Sequence, residues 1–562
     1  MSTANQVDLL VIGGGAAGMT AALTAKLSGL NVLLCEKAPY VGGITATSGG
    51  TAWVPGTHLS REGGVPDTVE DAEKFLDYVC AGRDGRDLRE AFLTSGPQMI
   101  EELDKKTEVK FVAAKAHPDY ISGPGEAYGG RALSPVPFDG SVLGENFKRV
   151  RPPRKEFMGL GGMMVNRSEL DALLNPFRSW ANLKTTLSVV LPYFKDRLRY
   201  SRGTRLVMGN ALVGRLYYSL LKKQVPVWFE ASLQELIVED NRVVGAVILR
   251  EGISTRVFAT KGVVLATGGV GWNKDLRKQF FPEKTPDSFS PESNTGDGIS
   301  TAMGVGAALD NQDSPALWFP TSFLQKGEER SFWPHIILDR AKPGLFAVNQ
   351  HGQRFVNESD SYHDFCQAQL KIGHVPVYLI CDDDFIHHYG LGLIMPGGKK
   401  LAYYLRHGYV QKAATLSELA SKINVSADDL SKTAERYNML ANEGEDSDFG
   451  RGTSAMNRFN GDACVAPNPC LRPINSQGPF YALAVRPVDL ASSVGLSCNA
   501  VGQVLNVNHM PIEGLFACGN DFASIFKGTY PGPGTTIGPG MVFGWRIAKY
   551  VAGQLPESSK IV

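Results

Sequence analysis

At 562 residues and 60.8 kDa the chain is too long for a lone binding module, and 43% apolar with 20% charged residues excludes a disordered one. Lys plus Arg (57) balances Asp plus Glu (57), so the whole molecule has no electrostatic reason to bind nucleic acid. Eight cysteines, none in a C-x-x-C pair, are too scattered for a disulfide framework or an iron–sulfur ligand set and imply a reducing, cytoplasmic setting. Leu9 to Ala25 is uncharged like a membrane span, but no basic region precedes it and glycines interrupt it.

Val7 to Ile12 is an apolar run of strand character, followed at once by Gly13-Gly14-Gly15-Ala16-Ala17-Gly18 and a helix-compatible stretch to about Ser28. Gly13, Gly15 and Gly18 match G-x-G-x-x-G: a tight turn, an approach for a pyrophosphate to the helix N-terminus, and close helix–strand packing. The second predicted strand, Asn31 to Cys35, ends at Glu36, a carboxylate placed to accept from ribose hydroxyls. Lys37 to Gly50 is then rich in small residues (Gly42, Gly43, Thr47, Ser48, Gly49, Gly50), unlike an ordinary crossover and suited to backbone lying along a cofactor.

Asp119-Tyr120 and Gly129-Gly130-Arg131 come next. From Arg178 to Lys223 ten basic residues face one acidic residue, Asp196, beside the apolar stretch Leu187 to Phe194. This segment fits either peripheral contact with an anionic membrane or a solvated basic face over an internal helix pair. Val263 to Ala266 leads into a second glycine turn, Thr267-Gly268-Gly269, and Asn294-Thr295-Gly296-Asp297-Gly298 introduces a helix. Between Trp318 and Pro487 sustained helical periodicity is mostly absent, and Gly and Pro punctuate short apolar runs, as in a separate capping domain. Within it lie Arg354 to Tyr362, a helical spacing from Leu416 to Glu443, and a polar stretch from Glu443 to Thr453 expected to be an exposed loop. Gly514 to Asn520 is again strand followed by glycine, and Thr529 to Pro539 is dense in Gly and Pro, which fix a backbone and expose amides.

The fingerprint with its small-residue loop, the second glycine turn, the T-G-D-G stretch and the Gly514–Asn520 strand resemble, in order, flavoproteins of the fumarate reductase and succinate dehydrogenase superfamily. That resemblance implies an α/β fold: a Rossmann-like FAD-binding domain built from both chain ends (1–318 and 490–562) with an inserted α+β capping domain (319–489). The FAD contacts it implies are Gly13, Gly15, Ala16, Ala17, Gly18, Glu36, Lys37, Gly42, Gly43, Thr47, Ser48, Gly49, Gly50, Ala231, Thr267, Gly268, Gly269, Asn294, Gly296, Asp297, Gly519, Asn520, Gly534, Thr536 and Ile537. Val41 to Gly50 contains no His or Cys, so the FAD is expected to be noncovalent.

Tyr530-Pro531-Gly532-Pro533-Gly534 further resembles the Y-P-G-x-G motif of the 3-ketosteroid Δ1-dehydrogenases. Arg354 to Tyr362 looks like their R-F-V-N-E-x-x-P-Y, and Asp119-Tyr120 with Gly129-Gly130-Arg131 like their D-Y…G-G-R block. Ser361 stands where proline is usual, an exchange expected to loosen the turn that presents Tyr362. The resemblance implies that Tyr530 and the Gly534 N–H grip the ketone of a 3-ketosteroid, Tyr362 takes the C2 proton with Tyr120 as its partner, and C1 gives a hydride to flavin N5. A phenol with an ordinary pKa of about 10 needs its anion favoured to serve as that base. The electron acceptor would be quinone-like or a carrier. The competing readings are a fumarate reductase-like enzyme, in which His and Arg hold a dicarboxylate, a 4,5-dehydrogenase, and an electron carrier without a substrate of its own. Trp53, Phe111, Leu317, Phe323 and Ile525 serve equally as pocket wall or core.

Overall fold

The computed structural model describes residues 6–155, 158–166, 169, 172–173, 175–310, 312–336 and 339–555. Two sheets organise the chain. The strand Gln6–Ile12 is parallel to Val32–Cys35 on one side, with Leu9 beside Val32 and Ile12 beside Cys35. On its other side it is parallel to the second half of Ile253–Leu265. Pro511–Ala517 joins beyond, with Val263 beside Leu515 and Leu265 beside Ala517. A parallel sheet covered on both faces needs strands apolar throughout, and Leu9 to Ile12, Val32 to Cys35 and Val263 to Leu265 are all buried. The helices Ala16–Leu27 and Ile537–Val551 pack on each other so closely that a Cβ on Gly544 would lie 2.6 Å from the Ala17 carbonyl oxygen.

The second sheet is antiparallel, in the order Glu329–Pro334, Ala316–Lys326, Phe480–Ser492, Val377–Asp382 and Leu345–Val348. Six helices lie between Tyr362 and Asn460, most too short to imprint a period on the sequence. The spacing over Leu416 to Glu443 belongs to two of them, Leu416–Ile423 and Ala427–Glu443, broken at Asn424 in the left-handed conformation (φ +57°). Both turn apolar residues (Leu419, Ile423, Leu430, Tyr437) into one cluster with Phe346 and Ile380, which is why the period runs through the break. Beyond the helix end at Glu443, the stretch to Thr453 is a loop with Glu445, Ser447, Asp448 and Thr453 exposed, as expected, but it is pinned from within. Asp446 and Arg451 are 2% and 0% exposed, because Asp446 pairs with Arg354 (2.8 Å) and Arg451 with Glu358 (3.1 Å).

The basic segment divides in two. Its later half is internal: the helix Met208–Lys222 is largely buried, Arg215 donates to the carbonyls of Val136, Glu108 and Pro137, and Arg202 to Asn210 and the Val150 carbonyl. Its earlier half holds the helix Trp180–Asp196, whose outward side carries Trp180, Leu187, Leu191 and Phe194, followed by Leu198. Trp180 and Leu198 are 86% and 89% exposed.

Candidate active site

The sharp exit from Gln6–Ile12 requires Gly13 at φ +113°, where a Cβ would lie 2.0 Å from the Ala266 carbonyl oxygen. Gly15 is different: it is extended, and a Cβ there would meet nothing within 4 Å. It opens the helix Ala16–Leu27, which has no acidic residue in its first turn; Ala16 N donates to Thr45 Oγ1 (3.3 Å), and this helix start, with Gly15, Ala16 and Ala17, lines a cleft as an anion site would. Glu36 lies at the same end, buried, with one carboxylate oxygen accepting from Gly14 N (2.8 Å) and the other from Ala38 N (2.7 Å). Burial pushes its pKa up and these two bonds pull it back. Each oxygen keeps a lone pair for a ribose hydroxyl. The geometry therefore fits the phosphate and ribose of a dinucleotide.

The cleft these residues edge holds about 380 Å³. It is lined by Gly13, Gly15, Ala16, Ala17, Glu36, Lys37, Gly43, Thr47, Ser48, Gly49, Gly50, Ala231, Thr267, Gly268, Asn294, Asp297, Gly519, Asn520, Gly534, Thr536 and Ile537, and by the three tyrosines. Gly18, Gly42, Gly269 and Gly296 do not line it. The first three are pressed against neighbouring atoms (a Cβ would come within 2.0 Å of Gly13 O, 2.8 Å of Ala46 Cβ and 2.0 Å of Ser492 Oγ respectively) and Gly296 starts the helix Asp297–Gly304, so they shape the turns from behind. Lys37 spans the cleft edge to Thr295 (2.6 Å) and Asp297 (2.8 Å). Sequence reasoning missed Asp521, which accepts from Thr267 N (2.5 Å) and Gly269 N (2.9 Å) and so holds the second glycine turn. Its signal was an acid directly behind Gly519-Asn520.

Each tyrosine reaches the cleft from a separately anchored segment. Asp119 accepts from Trp53 Nε1 (2.8 Å), Ala127 N (3.0 Å) and Arg131 (2.6 Å), fixing Tyr120 beside it. Arg354, Glu358, Arg451 and Asp446 form a buried ion cluster ahead of Tyr362. Tyr362 itself is the first residue of the helix Tyr362–Lys371. Ser361 does not loosen this turn; its hydroxyl caps the helix, accepting from Asp364 N (3.1 Å) and donating to Asp364 Oδ2 (2.7 Å). Tyr530 begins the loop closed by Gly534, which sits at φ +95° where a Cβ would lie 2.3 Å from the Thr51 carbonyl oxygen. Trp53 N donates to the Gly534 carbonyl (3.1 Å), and Tyr120 N to the Pro531 carbonyl (2.8 Å).

The three hydroxyls converge. Tyr362 donates to Tyr530 at 2.9 Å and Tyr120 to Tyr362 at 3.4 Å, with ring centres 5.3–5.6 Å apart. Burial drives all three pKa values up, Tyr362 well above the ordinary phenol value, and the neighbouring phenols push it further the same way. For Tyr530 the effect of burial is opposed by bonds from Tyr362, Thr535 and the Gly534 backbone. The walls around the phenols are apolar: Met164, Phe289, Phe319, Pro334, Ile336 and Leu490. Of the apolar candidates none lines this cleft: Trp53 is a buried donor to Asp119, Phe111 belongs to the core, Leu317 packs behind the tyrosines, Phe323 against Phe332, and Ile525 in the core.

The model of the FAD binding domain family matches residues 8–537. The 3-oxosteroid 1-dehydrogenase of Mycolicibacterium smegmatis is 35% identical over 99% of each chain. The 4-oxocyclohex-2-ene-1-carboxylate 5-dehydrogenase of Sinomonas cyclohexanicum is 35% identical over 97% of this chain and 93% of its own. The crystal structure of 3-ketosteroid delta1-dehydrogenase from Sterolibacterium denitrificans in complex with 1,4-androstadiene-3,17-dione superposes with a TM-score of 0.89 at 33% identity, covering 98% of this chain and 100% of that one. On this likeness of sequence and fold, the chain belongs to the FAD-dependent oxidoreductase family that includes the 3-oxosteroid 1-dehydrogenases.

Proposed function

We propose that the protein dehydrogenates 3-ketosteroids between C1 and C2, with Tyr530, Gly534, Tyr362 and Tyr120 as the working groups. The observation that carries this reading is the convergence of three phenols on an apolar cleft wall beside the dinucleotide cradle. Tyr530 O–H and Gly534 N–H hold the ketone oxygen, and both bonds strengthen as that oxygen gains enolate charge. Once the ketone occupies Tyr530, the Tyr362 oxygen is left to accept the C2 proton. Its anion is costly here because burial and both neighbouring phenols oppose it, and the Tyr120 O–H, 3.4 Å away, holds that oxygen in place and offers a route for the proton onward. Bound FAD supplies the acceptor for the C1 hydride. The apolar walls exclude water from the enolate meanwhile.

The cradle holds the cofactor by backbone amides and Glu36, and Val41 to Gly50 contains no His or Cys for attachment. FAD is accordingly noncovalent in this reading, and acid precipitation leaves the colour in the supernatant. Reoxidation falls to an external quinone-like or carrier acceptor. The exposed apolar stripe of Trp180–Asp196, beside Lys184, Lys195, Arg197 and Arg199, suits peripheral contact with an anionic membrane, a source of poorly soluble sterol-like substrates. Among the described residues no helix is long and apolar enough to cross one. The deciding experiment is anaerobic addition of 4-androstene-3,17-dione to the holoprotein. Bleaching of the flavin band with formation of the 1,4-diene is expected; bleaching by fumarate's reduced partner, succinate, and not by the steroid would replace this reading.

A further inference from the structure

Tyr530 is flanked by two backbone carbonyls that tie its loop to the other tyrosines. The Pro531 carbonyl accepts from Tyr120 N at 2.8 Å, and the Gly528 carbonyl accepts from His363 Nε2 at 3.0 Å. His363 directly follows Tyr362 in the helix Tyr362–Lys371, and its ring centre lies 6.0 Å from that of Tyr530. The loop is fixed just ahead of this point. Lys527 and Gly528 both have positive φ (+53° and +86°), and the buried Lys527 ammonium pairs with Asp310 (2.5 Å) and Asp84 (3.1 Å). The Gly528 carbonyl is thus a fixed acceptor, and the His363 side chain brings the helix that carries Tyr362 to it.

The chemistry of the ring separates this bond from mere packing. A carbonyl oxygen can only accept, so Nε2 carries the hydrogen, and burial pulls the His363 pKa down to about 4, which keeps the ring neutral and leaves a bare lone pair on Nδ1. Nδ1 is buried and has no hydrogen-bond partner among the described residues. A phenyl ring would fill the same space without burying that nitrogen, so what the imidazole adds is its Nε2–H. In a 3-ketone one carbon separates the oxygen from C2. The spacing of the two hydroxyls therefore decides whether Tyr362 meets the C2 hydrogen while Tyr530 holds the oxygen. We infer that His363 is a positioning residue for the reaction: by bonding the Gly528 carbonyl to the start of the helix, it sets the 2.9 Å separation of the Tyr362 and Tyr530 hydroxyls. This rests on the steroid reading above.

The test follows anaerobic flavin reduction by 4-androstene-3,17-dione in holoprotein variants. His363→Phe keeps a ring without the donor, His363→Asn withdraws its amide toward the Nδ1 position, and His363→Gln returns an N–H near that of Nε2. At saturating steroid the first two should slow reduction about tenfold or more while the steroid Kd changes by less than about threefold. His363→Gln should recover most of the rate. Added to Tyr530→Phe, His363→Phe should cost no more than about a further twofold, because the hydroxyl it positions is already gone. A wild-type rate in His363→Phe, a loss carried by Kd instead of the rate, or losses that multiply in the double variant overturns the assignment and leaves the steroid reading intact. So does a His363→Gln as slow as His363→Asn, and that comparison decides alone if His363→Phe does not fold. If the steroid does not bleach the wild-type flavin, the steroid reading falls, and the inference with it.

Discussion

In the proposed reaction Tyr530 holds the ketone oxygen and Tyr362 takes a proton from carbon, so their loss should differ in kind. Tyr530→Phe removes one of two donors to the developing oxyanion and should cost about 2.7–4 kcal/mol, with residual turnover through the Gly534 N–H. Tyr362→Phe removes the proton acceptor, so single-turnover flavin reduction should nearly vanish while a 3-keto ligand still binds. Near wild-type reduction in Tyr362→Phe would remove it from that role. The pH dependence follows from the direction of its shift. Because burial holds Tyr362 well above 10, the fraction of anion rises with pH across the whole range from 7 to 10, and the reduction rate should rise by up to about tenfold per unit without a plateau. A plateau near neutral pH in stopped-flow traces would mean another base. These tyrosines were legible in the sequence because short motifs surround them. The meaning of the motifs was not: Arg131, Arg354 and Glu358 are buried ion-pair anchors that only contacts across 12 to more than 90 residues reveal. Phe289 and Phe319, which line the cleft, went unseen because no local pattern marks a residue that meets it from a distant segment.

At the level of elements, the βαβ fingerprint was readable since strand, glycine turn and helix are contiguous and each has its own period. The helix Trp180–Asp196 shows the limit of that approach. Its apolar positions have helical spacing, which ordinarily predicts a buried face, yet Trp180, Leu187, Leu191 and Phe194 face outward and only Val189 and Tyr193 are buried. Composition gave the charge of the region but not which half was already satisfied internally. Leu187→Ser with Leu191→Ser should abolish retention on phosphatidylglycerol vesicles at low salt while leaving the thermal midpoint unchanged, since these side chains contribute nothing to the core. Equal retention of the double variant would show that the stripe is not the contact.

Across the whole molecule, the tyrosine site depends on the second sheet being docked and internally rigid. Glu358 is the hub of that rigidity, fully buried and bonded to Arg354, Arg451 and Ala347 N. Glu358→Ala leaves both guanidinium groups without their shared anion and should cost about 3–5 kcal/mol in denaturant unfolding at saturating FAD. After the opposing effect of burial, Arg354 and Arg451 hold the Glu358 pKa below its ordinary carboxylate value. A lowered folded pKa gives stability that is complete above the unfolded value of about 4.3 and is lost as pH falls through the folded one. The second sheet should therefore loosen in acid below about pH 4.3, detectable as hydrogen exchange in Leu345–Val348 ahead of the central sheet.

The central sheet has one more consequence, for how the molecule comes into being. Gln6–Ile12 lies beside Ile253–Leu265, which in turn lies beside Pro511–Ala517. At roughly 5–20 residues per second, roughly half a minute to two minutes of synthesis separate the first of these strands from the last. Until Pro511–Ala517 and the Ile537–Val551 helix have emerged, the glycine turn at Gly13 has no completed wall opposite it. The nascent chain must therefore wait with an apolar strand edge exposed, open to chaperones or to aggregation. The dinucleotide cradle is finished only after nearly everything else, so cofactor supply can rescue a finished fold but cannot guide its early steps.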